Sequence, residues 1–313
     1  SFKRSMMVVQ IVLCATLVTT VLIVTRYAER QSVESINHSL STVLASAHKR
    51  IVGWVDIELE SLGQLGQNPQ LVDLVEKLLD VERTPEALIH SPLQSQLRQF
   101  VQSRTGISGS FGYFIISPDN ISLSSRRDTN IGTVNLIELQ RPDLMMAALD
   151  GRGVFIPPIK SDVKLEHIDG ELNPPTMFFA VPVINANGET IAVLTKRVNF
   201  QGVFSSILSA GFIAKSGETY ALDRSGLLLS NVRFEEQLKQ IGLLNEQQRS
   251  SLNIRVANPG ADLSSESQEA DASWPLTRMA QSISEQTSGR DLIGYNDYRG
   301  IPVVGNWVWD NNL

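Results

Sequence analysis

One cysteine in 313 residues, Cys14, leaves no partner for a disulfide, and its place inside an apolar run removes it from thiol catalysis. Basic charge is also short, with 27 Lys and Arg against 33 Asp and Glu and a formal net charge of -6. A nucleic-acid footprint needs Lys and Arg concentrated on one face, so nucleic acid is excluded as a partner. The four histidines, His38, His48, His90 and His167, show no H-x-x-x-H spacing with a third ligand. The acids Asp262, Glu266, Glu269 and Asp271 lack the spacing and central glycine of a calcium loop. No metal site and no cofactor are expected. G-x-S-x-G and H-E-x-x-H are both missing, and no paired carboxylates sit in a recognisable motif, so no catalytic residue is assigned. A membrane-tethered enzyme, or an adhesion or scaffold module, stays as the alternative reading.

What is present begins with a charge-free run, Met6–Thr25. Twenty residues at about 1.5 Å each reach the roughly 30 Å of a bilayer's hydrocarbon core, so residues 1–26 are expected to form a transmembrane anchor. A cleaved signal peptide is the competing reading, because Lys3 and Arg4 precede the run. The run exceeds the usual h-region, and the A-x-A pattern at Ala45–Ala47 lies well beyond it. Arg26 and Arg30 on the other side leave the orientation unset by charge.

From Val33 to Leu65 the apolar residues recur every three or four positions, which predicts one long stalk helix. Asn68-Pro69 reads as a stop followed by a capped restart through Leu79, and Ser91-Pro92 opens another helix to about Ser103. Beyond Gly106 the pattern changes to short apolar runs with turns between them. GYFIIS (112–117) and ISLSS (121–125) flank Pro118-Asp119-Asn120, a helix is expected over Leu136–Leu149, and FFAVPVI and TIAVLTKRV form a hairpin around Asn185–Gly188. The order then recurs. TYALDRSGLLLS (219–230) repeats YFIISPDNISLS (113–124), and LIGYNDYRGIPVVGNWVW (292–309) repeats the later hairpin. Tyr113 and Tyr220 are 107 residues apart and Gly188 and Gly300 are 112 apart, which points to tandem copies of one fold joined by a helical link at Phe200–Ala210. The expected class is α+β: a transmembrane and stalk helix, then two modules, each an antiparallel sheet with flanking helices.

SGETYALDRSGLLLSNVRF (216–234) and GYNDYRGIPVVGNWVWD (294–310) resemble the membrane-proximal module of double Cache sensor domains, the PAS-like extracytoplasmic modules of bacterial receptors. SSRRDTNIG (124–132), RPDLMMAALDGRG (141–153) and PPTMFFAVPVINANGETIAVL (174–194) resemble the membrane-distal module. The resemblance implies residues 27–105 as stalk and flanking helices, 106–200 as the distal module and 201–313 as the proximal one. It implies a small-molecule sensor in the periplasm, held in the inner membrane, dimeric through its stalk, with an output domain beyond this sequence. It puts the ligand in the distal module. There Arg126 or Arg127 would grip an anionic group, with Asp128, Tyr113 and Asp162 nearby. No Trp-Tyr pair follows Arg126, so the amino-acid-binding pattern is incomplete. Asp297, Tyr298, Arg299 and Gly300 are read as structural.

Overall fold

No proline interrupts residues 2–66, and the computed structural model has one helix, α1, over Phe2–Gly66. The residues described are 2–104, 112–161, 173–212, 215–264, 271 and 273–313, with 2–5 and 8–12 described in backbone only. Among the described residues no helix is long and apolar enough to cross a membrane. α1 ends at Gly66, where glycine is required because a Cβ would stand 2.6 Å from the Pro182 carbonyl oxygen.

Asn68 then caps α2 (Pro69–Leu79), its side chain accepting from the Gln70 N–H. Thr84 caps α3 (Pro85–His90) in the same way, and α4 spans Leu93–Arg104. The first sheet has five antiparallel strands in the order β2-β1-β5-β4-β3. They are β1 (Tyr113–Ile116), β2 (Ser122–Ser125), β3 (Val154–Lys160), β4 (Pro175–Ile184) and β5 (Thr190–Val198). Alternation along β4 sends Met177, Phe179, Val181 and Val183 toward α1, α2 and α4, and Phe178 and Ala180 toward the opposite cluster. That second face is covered by α5 (Leu136–Gln140) and α6 (Pro142–Leu149). One helix was expected there; Pro142 disfavours helical geometry at Arg141 and splits it in two. Trp54 of α1 fixes the helix to the sheet by edge contacts with Phe179 and Phe155, at 5.1 and 5.7 Å between ring centres.

After α7 (Val203–Ser209), within the expected link, a third apolar cluster forms around Leu228, Val256, Met279, Tyr298 and Trp307. It carries α8 (Glu235–Gln240), α9 (Arg278–Ser284) and a two-stranded sheet of β6 (Gly289–Asn296) and β7 (Pro302–Trp307). The strands expected over 219–230 appear as isolated bridges, Leu222 with Leu228 and Leu227 with Arg255. Side-chain oxygens take the place of ladder partners here. The Ala221 N–H donates to Ser230 Oγ and the Val232 N–H to Ser250 Oγ.

The recurrence is sharpest in the turns. Residues Ser117, Asn185, Asp223 and Asp297 each open a turn in which their N–H donates to the carbonyl four residues on. In each, the fourth residue donates back and takes a positive φ: Asn120 at 66°, Gly188 and Gly226 at 83° and Gly300 at 79°. The opening side chain accepts from the N–H that closes the turn in all four cases. Gly300 is obligatory twice over, since a Cβ would also overlap the Ala261 carbonyl.

Candidate ligand site

The helical spacing of Leu40, Val43, Leu44, Ala47 and Ile51 puts these residues on one side of α1. Opposite stand Tyr220 and Leu222 from the turn region, Tyr295 of β6 and Val303–Asp310 of β7 and its extension. Between them lies a cavity of about 270 Å³, lined also by Phe155, Phe204 and Leu208. The walls are mostly apolar with a few convergent polar groups, the usual composition of a small-molecule site.

Polar ties hold the two walls together. Asn306 Nδ2 of β7 donates to Ser41 Oγ at 2.8 Å and to Asn37 Oδ1 at 3.3 Å, and His48 Nε2 meets Asp310 Oδ2 at 2.7 Å. Inside, the Glu218 carboxylate accepts from the Tyr298 hydroxyl at 2.8 Å and from the Arg233 N–H at 3.1 Å. Burial disfavours its charged form and pushes its pKa up to about 7, against the pull of those two donors. Burial likewise raises the phenols of Tyr220, Tyr295 and Tyr298. Tyr220 meets Tyr298 edge-on at 6.0 Å, and Tyr295 meets Trp307 edge-on at 6.3 Å.

Arg299 is spoken for. Its Nε and Nη2 donate to Asp297 Oδ2 at 3.0 and 2.7 Å, its Nη1 donates to Gln237 Oε1, and the guanidinium lies 3.7 Å from the centre of the Phe234 ring. That arrangement suits the structural role expected of it.

The described residues named from the sequence, Tyr113, Arg126, Arg127 and Asp128, do not line this cavity. Arg126 and Arg127 are exposed at the end of β2, and Asp128 opens a short 3-10 turn where Arg98 pairs with it. Tyr113 is buried on the α1 side of the sheet, its hydroxyl 3.1 Å from Ser124 Oγ, which donates to Gln94 Oε1. Asp162, together with His167, Glu266 and Glu269, lies outside the described residues. Among the described residues no cluster of His, Cys, Asp or Glu is placed to hold a metal. Sequence reading missed Glu218, Tyr220 and Tyr295. The signal was an acid beside an aromatic in GETY, repeated as an aromatic in GYNDY, inside otherwise apolar strands.

No family model and no curated protein matches this sequence. Solved structures do. The sensor domain of the histidine kinase DctB of V. cholerae matches at 15% identity over 64% of this chain and 67% of that one, with a TM-score of 0.45. The periplasmic sensory domain of the Campylobacter jejuni chemoreceptor Tlp1 matches at 14% identity over 87% and 90%, with a TM-score of 0.43. The ligand-binding domain of the Pseudomonas aeruginosa amino acid chemoreceptor PctC, solved with GABA, matches at 11% identity over 64% and 76%, with a TM-score of 0.36. The chain is thus similar to sensor and ligand-binding domains of a histidine kinase and of chemoreceptors.

Proposed function

We propose that this chain is the extracytoplasmic ligand-sensing input domain of a membrane receptor, and that its site is the cavity between α1 and the second sheet. The cavity carries the reading. A molecule seated there touches Leu40–Ile51 on one wall and Val303–Asp310 on the other, so binding must bias how the helix sits against the strand. The run Met6–Thr25, at the start of the same helix, is the anchor, and the sensor lies in the periplasm. The output domain lies outside this chain; a histidine kinase, a diguanylate or other cyclase, a protein kinase or a chemoreceptor would each serve. The units are 1–26 anchor, 27–105 stalk and flanking helices, 106–200 distal module and 201–313 proximal module. Exposed Val33, Ile36 and Ile57 on α1 support dimerisation through the stalk.

The test is a pair of spin labels at Thr42 and Asn311, both exposed, in the full chain in detergent. Pooled small amines, carboxylates and amino acids are first screened for a rise in melting temperature. A hit should change the label-to-label distance. A hit that raises the melting temperature yet leaves the distance distribution untouched rules the cavity out as the sensory site.

For an anionic ligand a second reading stands, because the exposed Arg126 has no partner among the described residues. In it Arg126, with Arg127, Asp128, Asp162 and Tyr113 nearby, grips a carboxylate in the distal module. Arg126→Ala should then abolish binding of a carboxylate hit while Glu218→Gln leaves it intact; the opposite pattern eliminates this second reading.

A further inference from the structure

Besides Glu218, the cationic and carboxyl groups that line the cavity pair among themselves. Arg299 is held by Asp297, and His48 by Asp310. Glu218 forms no ion pair among the described residues; its donors are a phenol and a backbone amide. Around it the cavity offers the rings of Tyr220 and Tyr295, whose hydroxyls hydrogen-bond to nothing among the described residues, and the apolar side chains of Leu40, Val43 and Met279.

We propose that the cavity takes an organic monocation, an ammonium group on an apolar body, with Glu218 as its counter-charge and Tyr220 and Tyr295 as the aromatic faces beside it. The inference rests on the cavity being the sensory site. A carboxylate removed from water without a cation is costly, and an ammonium supplies both the missing charge and donors for its remaining lone pairs. Tyrosine faces attract cations, and their free hydroxyl oxygens accept from N–H donors. An anion would meet Glu218 as a like charge, and a neutral molecule would leave it uncompensated. Proton and cation then compete for the same carboxylate, whose pKa burial has raised to about 7. The charged and titratable groups around Glu218 are Asp297, Arg299, Tyr298, Tyr220, Tyr295 and Arg233, whose guanidinium donates to the Gly217 carbonyl, and the oppositely charged Asp297 and Arg299 offset one another.

The full chain in detergent micelles is titrated with three near-isosteres: phenethylamine, 2-phenylethanol and 3-phenylpropionate. Binding is followed by calorimetry and by tryptophan fluorescence, since Trp307 and Trp309 line the cavity. The amine should bind at least about tenfold tighter than the alcohol and the acid, as expected for a desolvated charge pair with aromatic support. It should bind tighter as pH rises from about 6 to about 8, across the range where Glu218 gives up its proton. In Glu218→Gln the amide oxygen can accept from the Arg233 N–H and the amide nitrogen can donate to the Tyr298 hydroxyl, so the fold should hold while amine affinity falls about tenfold or more. Tyr220→Leu should weaken it about threefold or more.

No amine binding at millimolar concentration, amine binding unchanged in Glu218→Gln, or alcohol or acid binding as tightly as the amine each overturn the monocation assignment. In the last case, sensitivity to Leu44→Trp, which fills the cavity, shows that the cavity is still the site. Amine binding that ignores Leu44→Trp overturns the cavity reading together with this one.

Discussion

Replacing Arg299 by Ala removes a guanidinium that Asp297, Gln237 and Phe234 all depend on. Asp297 would be left buried and unpaired, a loss of about 3 to 5 kcal/mol by the usual behaviour of broken buried pairs. Urea unfolding measures it; a change under 1 kcal/mol would show that water reaches Asp297. Asn120 offers the opposite sign. It holds the positive-φ position that glycine holds in the three sister turns, and its side-chain Oδ1 is buried with no partner. Asn120→Gly should be neutral or stabilise by up to about 1 kcal/mol, and Asn120→Val should destabilise by more than that, because a β-branched residue resists left-handed geometry. Equal melting temperatures for the two variants would contradict this. Glu218 sets a pH dependence. Its folded pKa is raised from 4.5 to about 7, so the folded state holds a proton that the unfolded state releases. Stability from this group is fully present below about pH 4.5, falls as pH rises toward about 7 and is flat above it, for a total on the order of 2 to 4 kcal/mol. Glu218→Gln should remove that slope from the folding free energy measured between pH 4.5 and 8.

Elements were more legible than sites. The restart at Asn68-Pro69, the β4–β5 hairpin and the 107- and 112-residue recurrences rest on local chemistry, namely caps, period-2 burial and turn residues, and local chemistry is what a sequence displays. The site rests on long-range packing. Leu44 and Tyr295 lie some 250 residues apart in sequence, and no periodicity within either segment says that they face one cavity. The thinning of the strand pair at 219–230 to isolated bridges was hidden for the same reason. It depends on Ser230 and Ser250 reaching amides that a strand would have paired. The contact between α1 and β7 has its own test. Ser41→Ala removes the Asn306 hydrogen bond to Ser41, worth about 1 kcal/mol, and Asn306→Ala removes it together with the one to Asn37. Hydrogen exchange should quicken over residues 37–48 in either variant, with the double variant no worse than Asn306→Ala alone. Additive losses would mean that the two side chains act through separate partners.

At the scale of the whole molecule the chain passes the second unit first and the five-stranded sheet later, so α1 meets β7 near Asn37–His48 and β4 near Gly66. The run Met6–Thr25 at its start should stay attached in the mature protein. Mass spectrometry of membrane fractions decides this, an N-terminus near Gln31 or His48 being the contrary result. One consequence of α1 concerns stiffness. Sixty-five residues without a proline make a rod about 100 Å long, and a rod of that kind is much harder to stretch than to bend. A sub-ångström axial slide imposed where Leu40–Ile51 meet the cavity would arrive at Thr25 nearly undiminished, whereas a sideways push would dissipate in curvature. Along α1 an axial displacement is therefore carried farther than a tilt.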